Sequence, residues 1–74
     1  MVLREANIGK EMKIIGYSGG HHLDEKLRQL GLVPGDNIRI IRKAPFHGPL
    51  LIEIRDREIA LGCGIASKIE VEEI

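Results

Sequence analysis

A chain of 74 residues with 11 Lys+Arg against 11 Asp+Glu has room for one small domain, and no charge excess with which to hold a polyanion. Two aromatics, Tyr17 and Phe46, are too few for a base-stacking platform or an aromatic groove for Pro-rich peptides, so nucleic-acid binding is not expected. A lone Cys63 rules out an internal disulfide, and no apolar run approaches the roughly 20 residues of a membrane-spanning helix. Met1 to Glu5 also lacks the apolar core of a signal peptide, so a cytoplasmic protein without membrane insertion is expected.

Twelve Ile and three Val against four Ala favour pleated, half-buried surfaces. Lys10 to Tyr17 reads as a first strand, ended by Ser18-Gly19-Gly20. His22 to Leu30 reads as a helix, because Leu23, Leu27 and Leu30 fall at i, i+4 and i+7 on one face. Asp24 and Glu25 in its first turn and Arg28 in its last suit the helix dipole, and Gly31 is placed as a C-cap. Pro34-Gly35 then forms a turn.

Asn37 to Lys43 and Leu50 to Arg55 are strand-like, separated by Ala44-Pro45-Phe46-His47-Gly48-Pro49. Pairing them with Ile40 opposite Ile52 sets Ile38 against Ile54 on the core face. Outside, it sets Arg39 against Glu53 and Ile41 against Leu51. With Asp56-Arg57 as the next turn, Ile54 faces Ile59, Ile52 faces Leu61 and Arg55 meets Glu58. Gly62-Cys63-Gly64 breaks that strand, Ile65-Ala66-Ser67 makes a short helical turn, and Lys68 to Glu72 closes the chain with Ile69 and Val71 inward. The whole reads as a mainly β fold: a small, closed or nearly closed SH3-like barrel of about five strands. One short helix lies between the first two strands, covering an open end, and a helical turn precedes the last. A helix packed across a single sheet is the structural alternative. Closure would remove edges that Ile-rich strands otherwise offer for aggregation.

No enzyme is expected. Gly16, Gly19 and Gly20 lack the Gly-Lys-Ser/Thr of a phosphate-binding loop, and neither Ser18 nor Ser67 sits in a nucleophile elbow. His21, His22, His47 and Cys63 are the available metal ligands. Their spacing matches no compact site, so only incidental divalent-metal capture by His21 or His22 is expected, and no cofactor. Cys63, flanked by glycines, reads as a small packing residue. A binding surface is the better reading. Ile41 and Leu51 would form an apolar pair away from the core, beside the loop holding Phe46, His47 and Pro49, and a contiguous apolar cluster suggests docking. The bland alternative puts Ile41 at a bulge and Leu51 under cover.

Three segments in order carry a family resemblance: Leu30-Gly31-Leu32-Val33-Pro34-Gly35-Asp36, then Ala44-Pro45-Phe46-His47-Gly48-Pro49-Leu50, then Ile59-Ala60-Leu61 followed by Ala66, Ile69 and Val71. Together they resemble the FeoA family of ferrous iron transport proteins, across nearly the whole chain. The resemblance implies one SH3-like domain over residues 1–74 and a cytosolic accessory role in ferrous iron uptake. The implied partner is a FeoB-like membrane transporter with a cytoplasmic GTP-binding domain, which this protein would dock onto and modulate. A similar domain ends the DtxR-type repressors; with no DNA-binding region preceding it here, the stand-alone form is expected. The sequence departs from the family pattern at Gly62, where an Arg is common, and at Ile65, where a Glu is common. The alternative function is a generic SH3-like interaction module, or a homo-oligomer, unrelated to iron.

Overall fold

The computed structural model describes residues 1–74. After a 3-10 turn at Leu3–Glu5 come β1 (Glu11–Tyr17), α1 (His21–Gln29), β2 (Asn37–Lys43), β3 (Leu50–Ile54), β4 (Arg57–Leu61), α2 (Cys63–Ala66) and β5 (Ile69–Glu73). The five strands form one antiparallel sheet in the order β4-β3-β2-β1-β5. Fifteen residues are buried, and every one is apolar. The interior is a purely apolar core, whose burial stabilises the fold.

The expected barrel is not closed. β4 and β5 stand at opposite edges of the sheet and do not pair. The reason is that the outer edge of β5 is already occupied. Val2 bridges Glu70, the Val71 N–H donates to the Met1 carbonyl at 2.8 Å, and the Met1 amino group donates to the Val71 carbonyl at 3.2 Å. Leu3 and Ala6 then pass into the core, so the N-terminal residues protect the edge that closure was expected to protect. Short α2, which packs against the 3-10 turn, links β4 to β5.

Each strand was legible to within a residue or so, and the β2–β3 register begins as expected. Ile38 pairs with Ile54, Arg39 with Glu53 and Ile40 with Ile52, and the Arg39–Glu53 ion pair measures 3.7 Å. It then slips: Arg42, not Ile41, pairs with Leu51, so Ile41 is an extra residue in the ladder and the Ile41–Leu51 pair does not form. β1 repeats the device, with Ile14 opposite Val71, Gly16 opposite Glu70 and Ile15 left over. Both Ile-Ile doublets thus send the first residue into the core and leave the second exposed on a bulge, where the strand bends.

The β3–β4 register also differs from expectation, by two residues. Ile54 pairs with Arg57, Ile52 with Ile59, Leu50 with Leu61 and Glu53 with Glu58. The turn is Arg55-Asp56, because Arg55 adopts φ 55°, the left-handed conformation a two-residue hairpin needs at its first central position. A shift of two preserves which face each side chain takes, so Leu61 is still buried.

The connection from α1 to β2 is closely tied. Gly31, at φ 83°, ends α1: its N–H donates to the Arg28 carbonyl at 3.0 Å and the Leu32 N–H to the Leu27 carbonyl at 2.9 Å, the two bonds of a Schellman motif. The Arg57 guanidinium donates to the Leu30 carbonyl at 2.6 Å, satisfying another helix-end acceptor. Pro34-Gly35 turns as expected, with the Asp36 N–H donating to the Val33 carbonyl at 3.1 Å. The Tyr17 hydroxyl donates to the Leu32 carbonyl, and burial raises the Tyr17 pKa above its ordinary value.

Candidate functional site

The β2–β3 connection is tighter than its six-residue spacing suggests. Beyond Lys43 and Leu50 the ladder continues, with the Ala44 N–H donating to the Pro49 carbonyl at 3.0 Å. The Gly48 N–H then donates to the Pro45 carbonyl at 3.1 Å. Only Phe46 and His47 remain at the tip, both at φ 58°. This is a type I′ turn, a shape that normally selects Asn-Gly because two successive left-handed residues carry Cβ clashes. Gly48 makes the return possible, since a Cβ there would stand 2.7 Å from the Ala44 Cβ.

Strain at the tip presents one side chain. Phe46 is 98% exposed, the most exposed large apolar residue of the molecule. A groove lies on either side of the hairpin. A shallow one of about 120 Å³ is lined by Arg42, Ala44, Pro49, Leu50, Leu51 and Ala60. A larger one of about 330 Å³ is lined by Arg4, Lys43, Ala44, His47, Leu50 and Cys63, among others. The Lys43 ammonium donates to the Arg4 carbonyl at 3.0 Å, fastening the 3-10 turn to the end of β2. The ion pairs of the fold join Met1 to Glu70, Arg39 to Glu53 and Arg55 to Asp36, so Arg4, Arg42 and Lys43 bring positive charge to the hairpin without a carboxylate partner.

The structure brings Pro49 and Leu51 together on the shallow groove, with Phe46 at the tip above and His47 on the opposite flank. Ile41, 36% exposed, stays on its bulge and lines neither groove. Arg4 and Ala60 were missed. Arg4 reaches the site from the far end of the sequence, and Ala60 arrives only through the β3–β4 register, so neither had a local signal. Among the available metal ligands, none of which was expected to form a compact site, His47 and Cys63 share a groove with two cations, an unfavourable setting for a metal ion, whereas His22 lies between α1 and α2. No three His, Cys, Asp or Glu side chains gather where they could hold a metal. No helix is long and apolar enough to cross a membrane.

Comparison with known proteins agrees in sequence and in shape. The Fe(2+) transport protein A/Fe(2+) transporter FeoB fusion protein of Porphyromonas gingivalis (strain ATCC BAA-308 / W83) is 31% identical over 72 residues. That match covers 97% of this chain and 8% of the relative, so this chain spans a small part of the curated relative's length. Iron(II) transport protein A from Clostridium thermocellum superimposes with a TM-score of 0.92 at 35% identity, over 100% of this chain and 46% of that one. The zinc complex of Stenotrophomonas maltophilia FeoA, described as a prokaryotic SH3 domain protein, superimposes with a TM-score of 0.81 at 26% identity, over 97% and 89% of the two chains. The FeoA domain pattern matches residues 1–73, and on that match the chain belongs to the FeoA family.

Proposed function

We propose that residues 1–74 act as one non-enzymatic docking domain of ferrous iron uptake, which binds the cytoplasmic side of a FeoB-like transporter and modulates it. The observation that carries this reading is Phe46, fully exposed on a strained two-residue tip above grooves flanked by unpaired cations. An aromatic held out beside apolar grooves and unpaired Arg side chains is the residue type that anchors protein interfaces. Phe46, His47, Pro49 and Leu51 form the contact surface, with Arg42 beside them and Ile41 at its margin. In P. gingivalis, a domain of this kind is fused to the transporter itself. Fusion holds two modules at high effective concentration, an arrangement useful when they act on each other. For the Stenotrophomonas maltophilia relative, action as a bacterial ferrous iron transport activating factor has likewise been suggested. A cytoplasmic location belongs to the same proposal, and the reading calls for no cofactor; any divalent metal captured by exposed His21 or His22 is incidental.

The test is a titration of the chain against the cytoplasmic domain of the FeoB-like transporter from the same organism, with and without guanine nucleotide. Saturable binding that Phe46→Asp abolishes, while the amide spectrum of the variant stays folded, supports the proposal. Absence of binding in both nucleotide conditions overturns it and leaves a generic interaction module or homo-oligomer in its place.

A further inference from the structure

A second surface, on different elements, has another character. Between α1 and α2 lies a groove of about 440 Å³. Leu23 and Ile65, half-buried and packed against the core, make its floor. Exposed His22, Lys26 and Lys68 make its rim, and no acidic residue lines it. None of the three rim residues takes part in an ion pair of the fold. Asp24, although next to Leu23, lies within electrostatic reach of the Tyr17 hydroxyl, on another side of the helix. One end is kept open by Gly19, at φ 153°. A Cβ there would stand 2.9 Å from Leu23 Cδ2, 3.2 Å from Lys68 Cδ and 3.7 Å from Lys68 Nζ. The Lys68 ammonium and the apolar floor therefore meet at the same place. In a molecule with zero net charge, this one-signed rim over an apolar floor is a local asymmetry.

We propose that this groove binds a small amphipathic carboxylate, an apolar chain of several carbons ending in one carboxylate. The chain lies on Leu23 and Ile65, and the carboxylate sits among His22, Lys26 and Lys68. Charge complementarity sets the sign of the head, and the floor sets the tail. The scale favours a small molecule over a protein segment: a floor two side chains wide is far short of the roughly 800 Å² that each partner buries in a stable interface. Ile65 supplies half of that floor, and a Glu in its place would set a like charge beside the carboxylate. The groove shares none of the Phe46 hairpin's residues, so its occupancy and transporter docking stand or fall separately.

The experiment titrates the full ¹⁵N-labelled chain with sodium octanoate and follows its amide resonances, using octylammonium chloride and sodium acetate as matched probes. Saturable shifts confined to Gly19, His22, Leu23, Lys26, Gly64, Ile65 and Lys68 are expected with octanoate, and no saturation with either control. Ile65→Glu, at a half-buried position, should weaken octanoate binding about fivefold or more with its amide spectrum still folded, and exposed Lys68→Gln should weaken it about twofold. Octanoate shifts that do not saturate, that octylammonium reproduces, or that both variants leave unchanged overturn the proposal.

Discussion

β3 has a hairpin at each end, and the two tips solve the same problem differently. Both use left-handed residues that are not glycine: Phe46 and His47 at one tip, Arg55 at the other. Arg55 is compensated within the fold. Its guanidinium pairs with Asp36 at 2.8 Å, and Asp36, with a side chain only 14% exposed, also accepts the Val33 N–H at 3.2 Å. Phe46 makes no such contact and is bare to solvent. Backbone strain persists where surrounding structure enforces it, and where no internal contact answers it the site is a candidate for function. One tip braces the sheet; the other offers a side chain outward.

The contrast can be broken most forcefully at Phe46. Phe46→Ala should cost about 2 kcal/mol of partner affinity, roughly thirtyfold, as an interface anchor does, with the unfolding midpoint almost unchanged. Calorimetric titration paired with urea denaturation reads both; a large stability loss would make Phe46 structural. The braced tip should respond in the reverse sense. Asp36→Ala, which removes the Val33 bond and the half-exposed ion pair together, should lower stability by about 1–2 kcal/mol without affecting partner binding. Asp36→Asn, retaining an acceptor for Val33, should lose less than half as much.

A smaller effect separates the tips by sign. His47→Gly relieves a left-handed residue but loosens the unfolded chain, for a net gain of about 0.5 kcal/mol. Arg55→Gly relieves the same strain yet forfeits the ion pair, so it should gain nothing; a clear rise in Tm for Arg55→Gly would show that the Asp36 contact is idle. The smallest effect concerns Tyr17, beside the braced end. Its folded pKa lies above the ordinary value of 10.0, mainly through burial. Above pH 10 the unfolded chain therefore loses this proton first, and Tyr17 contributes less and less to stability as pH rises through the folded value. Wild type should lose more stability than Tyr17→Phe between pH 9 and 11, as denaturation at each pH would show.

Legibility differed between the elements and the two tips that join them. Around the braced end the residues announce themselves: Gly31 follows the last helical turn, Pro34-Gly35 can do little but turn, and Ile38, Ile40, Ile52 and Ile54 alternate inward. The failures fall where a residue adopts a conformation that its type does not advertise. Nothing in Arg55 signals positive φ, so the β3–β4 turn was expected one residue later. Nothing in Ile41 decides between a ladder pair with Leu51 and the bulge set against it, and the structure takes the bulge. Phe46, His47, Pro49 and Leu51 were visible as loop and strand residues, but the two-residue tip was not, because Phe-His is an unusual occupant of a turn that prefers Asn-Gly. Barrel closure failed for a non-local reason: the competitor for the edge of β5 was a segment some 70 residues away in the chain.

That separation has a kinetic side. Joining Met1 to Val71 requires closing almost the entire chain into a loop, an entropy cost recovered only once β1 and β5 are already in place. Docking of the N-terminal residues should therefore be among the last steps of folding. During synthesis on a ribosome, Leu3 and Ala6 must wait, apolar and unburied, until β5 has emerged to receive them.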